Sequence, residues 1–196
     1  MMLKKEQAKK LIDLARRSIK LFFSDKSIES WESKEKWLNE KQGVFVTLQR
    51  YPGRELRGCI GFPYPTLPLG KAITEAAKLA AFEDTRFTPL IEDETDKITI
   101  EISVLTKPQE MKPKNKSDLI TEIEIGKDGL IAEYSGYSGL LLPQVASEEG
   151  WDAEHFLEQT CIKAGISPKS WKNKGCRIYK FQAQIFSEEK PNGNIK

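Results

Sequence analysis

The chain has 196 residues, 39% of them hydrophobic and 31% charged, with a net charge of +2. That length can bury a full core, as one domain or as two small unequal lobes, and so nearly balanced a charge does not by itself call for a nucleic-acid partner. Charges interrupt the N-terminal stretch and no apolar run approaches membrane-spanning length, so the chain reads as cytoplasmic, with no signal peptide and no membrane partner.

The cysteines and the histidine narrow the chemistry further. Cys59, Cys161 and Cys176 are an odd number with no CxxC, so a disulfide framework is not expected. A single histidine leaves too few ligands for a Cys/His zinc site, and no metal or other cofactor is expected. The common nucleotide, protease, esterase and EF-hand signatures are also missing.

From Leu3 to Phe23 the residues Leu11, Leu14, Ala15, Ile19 and Phe22 recur at helical spacing, which predicts an amphipathic helix with Lys and Arg on its outer face. A shorter helix is expected to carry Trp31 and Trp37. "GVFVTLQR" (43–50) and "LRGCIGF" (56–62) are rich in strand formers around the turn signal "YPGRE", and together they predict a hairpin. The Pro-rich loop 63–68 then opens a helix whose small residues Ala76, Ala77 and Ala80 suit close packing on a sheet.

Alternation in "KITIEISVL" places Ile98, Ile100, Ile102 and Val104 on a core face, with Thr99, Glu101 and Ser103 on a polar one. "KPQEMKPKNKSD" suits a linker between lobes. A short helix and two strands turning at 135–139 follow. Next comes a helix from Asp152, its N-cap, to Ala164, with Gly165 as C-cap. "RIYKFQAQIF" is a final strand, and the tail 189–196 is expected to be mobile. Hairpins and separated helices without a βαβ repeat predict an α+β fold with a mostly antiparallel sheet flanked by helices.

Four clusters could carry chemistry. In "LRGCIG" strand alternation would turn the Arg57 guanidinium and the Cys59 thiol the same way, and a fixed cation favours thiolate. Gly58 and Gly61 would admit a ligand close to the backbone. The alternative is a buried, structural Cys59, with Arg57 paired to a carboxylate such as Glu101. In "EDTRFTPL", Asp84 and Arg86 would hold one another or a polar ligand. Gln144, after "LLLP", offers both donor and acceptor. Gln182 shares the non-core face of the last strand, so neighbouring strands would gather Arg57, Cys59, Glu101 and Gln182. Finally, residues 163–180 hold six Lys or Arg and no acid, interleaved with Trp171 and Tyr179, a pattern that can track phosphates and stack bases.

Taken in order, "GVFVTL", "LRGCIG", "AFEDTRFTPL", "EISVL", "GLLLPQVASEEGW", "FLEQTC" and "YKFQAQIFSE" resemble the AMMECR family, named for the Alport syndrome, mental retardation, midface hypoplasia and elliptocytosis chromosomal region. The resemblance covers about Gly43 to Glu188. It implies a single AMMECR-type domain with a larger lobe (1–106 with 146–188), a smaller lobe (107–145) and a cleft between them. It also implies Memo-type and radical-SAM partners and no settled activity.

Within the family's motifs the candidate site residues are Arg57, Gly58, Cys59, Gly61, Asp84, Arg86, Glu101 and Gln144. In "KDGL" many relatives carry histidine where this chain has Asp128, so a histidine role there does not carry over. The function these readings imply is an enzyme or enzyme component binding a small polar or anionic substrate, with Arg57 on the anion, Cys59 as nucleophile or contact, and Asp84 or Glu101 moving protons. The alternative is a noncatalytic module for a protein or RNA partner.

Overall fold

The computed structural model describes residues 3–24 and 33–196; the expected helical position of Trp31 lies outside them. The fold is α+β, with two four-stranded sheets flanked by helices, and the chain divides into two compact units. One is Met1–Leu105 with Gln184–Lys196, and the other is Thr106–Ala183. The second therefore runs past 145, the limit of the smaller lobe read from the sequence.

In the first unit, helix α1 (Lys5–Phe23) and helix α2 (Leu69–Phe82) cover a sheet built from β1 (Gly43–Arg50), β2 (Leu56–Phe62), β3 (Ile98–Leu105) and β8 (Ala183–Ser187). The strand order is β2-β1-β3-β8, with β1 antiparallel to both β2 and β3. Val44, Val46 and Leu48 of β1 and Ile98, Ile100 and Ile102 of β3 alternate into the core and are at most 1% exposed. Burying one such side chain is worth roughly 1.5–3 kcal/mol, so this face fixes the strand register. The small-residue stripe Ala76, Ala77 and Ala80 lets α2 come close to β2. A Cβ on Gly58 would lie 2.1 Å from the Ala80 carbonyl oxygen, which leaves room there for glycine only.

Three sequence expectations change here. Thr99 and Ser103 do not form an open polar face, since both are 1% exposed on the inner strand β3; only Glu101 between them is half-buried. Arg16 of α1 turns inward rather than outward, while Phe22 is exposed and stacks on Phe82 at 3.8 Å. The tail folds back across a Lys190–Asn194 turn. Glu188 bridges to Ile195, Lys196 N–H donates to the Ser187 carbonyl at 3.0 Å, and Ile195 joins the core.

The second unit holds β4 (Gln109–Glu110), α3 (Leu119–Glu122), β5 (Gly129–Tyr134), β6 (Tyr137–Leu141), α4 (Pro143–Glu148), α5 (Ala153–Lys163) and β7 (Arg177–Phe181). Its sheet order is β4-β7-β5-β6, all antiparallel. The turn between β5 and β6 places Ser135 and Gly136 at φ 50° and 84°, the conformation a tight two-residue hairpin needs. Asp152 caps α5 by accepting the His155 N–H at 2.8 Å, and Phe156, Leu157, Thr160 and Cys161 point inward as their spacing predicts. Since β7 is bonded to β5 and α5 packs into the same core, residues 146–183 group with the second sheet. Among the described residues no helix is long and apolar enough to cross a membrane.

Candidate functional site

The motif "LRGCIG" is β2, an edge strand, so one side of its backbone has no strand partner. Register pairs Cys59 with Thr47, and Thr47 in turn with Glu101, so one row crosses β2, β1 and β3. Within it the Thr47 hydroxyl donates to Cys59 Sγ at 3.4 Å. All three residues are half-buried. Beside Glu101, the hydroxyls of Thr99 and Ser103 are buried with no hydrogen-bond partner among the described residues.

The open edge of β2 is closed by side chains. Asp84 accepts the Cys59 N–H at 2.9 Å, and Arg86 Nη2 donates to the Cys59 carbonyl at 3.2 Å. Arg86 also grips Asp84 with two bonds of 2.9 and 2.7 Å, and its own N–H reaches Asp84 at 3.2 Å. Both outward backbone groups of Cys59 are thus satisfied by one ion pair, in the place a neighbouring strand would take. Asp84 is 7% exposed, and the Arg86 guanidinium, helped by the backbone N–H groups of Cys59 and Arg86, holds its carboxyl down at about 2 against the opposing effect of burial.

Arg57 does not share this role. The β1–β2 register slips between Leu48 and Gln49, leaving Arg57 as the extra residue of a bulge, and the alternation that would align it with Cys59 is interrupted. Its guanidinium forks the Glu94 carboxylate at 3.0 and 2.9 Å and donates to the carbonyls of Thr88 (2.9 Å) and Pro89 (3.4 Å). At 2% exposed, it ties the chain beyond α2 to the sheet. The cation acting on the thiol is Arg86. Burial nevertheless dominates and pushes the Cys59 thiol above its ordinary value, with Asp84 and Glu101 adding to the rise against Thr47 and Arg86. Cys59 is therefore a protonated thiol at neutral pH.

The two glycines serve packing rather than ligand approach. Gly58 admits α2, and a Cβ on Gly61 would meet the Val44 carbonyl at 2.2 Å and the Phe45 ring at 2.5 Å.

The remaining candidates lie in the second unit. Gln144, at the start of α4, has a buried Oε1 with no partner among the described residues. Gln182 is exposed and donates to Asp128 at 3.4 Å. Asp128, 3% exposed, also accepts the Glu124 N–H at 3.0 Å and lies 3.5 Å from Lys180 Nζ. These groups, with Thr106 and Glu122, line a depression of about 330 Å³. In the basic stretch Trp171 is 1% exposed and presents no stacking face, while Lys172, Arg177 and Lys180 pair with Glu154, Glu133 and Asp128.

Thr47, Glu94 and the inward Arg16 were not singled out from the sequence. Thr47 was within reach, because a hairpin folded about "YPGRE" sets it opposite Cys59.

Comparison with known proteins places these features in a lineage. A family profile described as AMMECR1 matches residues 12–186. Protein MJ0810 of Methanocaldococcus jannaschii is 49% identical over 164 residues, covering 84% of this chain and 82% of its own. Protein MK0488 of Methanopyrus kandleri is 47% identical over 193 residues, covering 97% and 93%. The crystal structure of the uncharacterized protein PH0010 from Pyrococcus horikoshii superposes with a TM-score of 0.92 at 46% identity, covering 99% of this chain and 97% of that one.

Proposed function

The chain belongs to the AMMECR1 family, and from that premise we propose that it binds a small polar ligand on the sheet face of its first unit that carries Cys59, Thr47 and Glu101, as an enzyme or as the component of one that works with Memo-type or radical-SAM partners. The observation behind this reading is the fixing of Cys59 at both backbone groups by Asp84 and Arg86. Such a clamp holds the sulfur in one place without using the side chain, which is the preorganisation a binding or reacting group needs.

In this reading Arg57 is the anchor beneath the site and Arg86 takes the anion-facing role. The Arg86 side chain is 51% exposed beyond its bonds to Asp84 and Cys59, so it can still meet an anionic group at the rim. Cys59 acts as a neutral hydrogen-bonding contact. Were it a nucleophile, its proton would first have to leave to a base, and Glu101, whose charge already acts on the thiol, is the carboxylate in the same row. The RNA reading loses one of its two stacking residues with the burial of Trp171.

A thermal-shift screen of small carboxylates, phosphates, amines and polyols tests the proposal. A ligand at a hundred times its Kd stabilises the folded state by about 2.7 kcal/mol, a readable rise in Tm. Any compound that raises the Tm of the wild type is expected to lose that effect in Thr47→Val and in Glu101→Gln. A shift that survives in both variants moves the site elsewhere on the molecule.

A further inference from the structure

We propose that Cys161 and Cys176 form a reversible disulfide within the second unit, a redox switch joining α5 to the start of β7. Both are free thiols in the structure. They are 0% and 1% exposed in one apolar cluster with Phe156, Leu157, Trp171 and Ile178. Their side chains lie close enough there for each thiol to act on the other. A core that needed only small hydrophobes would be served by alanine or valine, whereas two neighbouring thiols have chemistry available to them.

The two sulfurs are unlike. Cys161 sits on α5, and the neighbouring Cys176, with burial, pushes its thiol strongly up, so it keeps its proton. In turn Cys161 pulls the Cys176 thiol down against the effect of burial, and Lys116 adds to the pull; the Lys116 ammonium is anchored 2.5 Å from the Cys176 carbonyl. Cys176 also follows the exposed run 172–175, so it is the thiol that motion of a surface loop uncovers, while Cys161 lies inside a helix. A thiol drawn toward its thiolate beside a protonated resolving thiol is the arrangement that two-step oxidation uses.

With a peroxide as oxidant the steps balance. The Cys176 thiolate attacks one peroxide oxygen, forming an S–O bond, breaking the O–O bond and releasing hydroxide. The Cys161 sulfur then attacks the sulfenic sulfur; the S–S bond forms, and the sulfenic oxygen leaves as water with the Cys161 proton. The two sulfurs together give up two electrons, which reduce the peroxide. A dithiol reductant reverses the change by exchange. The closed loop encloses the turn Pro168–Lys172, so oxidation tightens this unit against local opening. Cys59, in the first unit, takes no part.

The test treats the full native chain with hydrogen peroxide, blocks remaining thiols with N-ethylmaleimide in denaturant and maps the peptides by mass spectrometry. The expected result is a linked pair of peptides carrying Cys161 and Cys176, lighter by two hydrogens, with Cys59 outside the link, a raised Tm, and restoration of both thiols by dithiothreitol. Recovery of Cys161 and Cys176 as alkylated free thiols, their oxidation to sulfinic or sulfonic acids, or linkage through Cys59 would each overturn the proposal. Because the mapping is done on the wild type, the result does not depend on a variant that folds.

Discussion

Glu188→Ala is expected to destabilise the protein by about 3–5 kcal/mol, since removing one partner of a buried ion pair leaves the other charge without compensation. Glu188 is 2% exposed and Arg16 8%. The Arg16 Nε donates to Glu188 at 3.2 Å and its Nη2 bonds the other carboxylate oxygen. The guanidinium also donates to the carbonyls of Thr95 (2.7 Å) and Ile98 (3.0 Å), and the carboxylate also accepts the Ile100 N–H at 2.9 Å. The pair thus links α1, β3 and the residue just after β8. Urea denaturation reads the effect as a lower midpoint at unchanged slope. The double variant Arg16→Leu with Glu188→Leu should recover part of the loss, because no buried charge is then stranded. A loss under about 1 kcal/mol for Glu188→Ala would mean that the pair is open to water.

Asp84→Ala is expected to cost roughly 2–3 kcal/mol. It removes a charge-assisted acceptor from the Cys59 N–H and leaves that edge-strand donor without its partner. The same carboxylate gives the wild type a signature in acid. Its folded value of about 2 lies below the usual 3.8, so its contribution is fully present above about pH 4 and disappears as the pH falls toward 2. The linked stability is roughly 1–2 kcal/mol, allowing for screening at the half-exposed Arg86. Stability measured from pH 5 to pH 2 should therefore fall more for wild type than for Asp84→Asn, the two curves converging at the acid end. Parallel curves would show that Asp84 is not held by Arg86 in solution.

Much of the fold was legible because local pattern and burial agree. The alternation of Ile98, Ile100 and Ile102, the Asp152 cap and the inward stripe of α5 are each set within a few residues, and each appears where its spacing places it. The site was legible as a motif but not as a geometry. Arg57 and Cys59 share a parity in the sequence, yet a bulge, which belongs to the pairing of two strands rather than to either one, separates their roles. Gly58 and Gly61 look like openings for a ligand, and the α2 backbone and the Phe45 ring occupy that space. Arg16 and Glu188 are 172 residues apart, and no periodicity links them. The tail was read as mobile, because its folding back depends on a place for Ile195 in the core that no local pattern shows.

Cys59 is held as a neutral thiol on a half-buried sheet face, and the rate of iodoacetamide alkylation of each cysteine in the native protein as a function of pH measures this. The expectation is that Cys59 reacts before unfolding, with a midpoint above the roughly 8.5 of a free thiol, while Cys161, buried inside a helix, is alkylated only in denaturant. A Cys59 that stays silent until the chain unfolds, or one that reacts with a midpoint well below that of a free thiol, would contradict it.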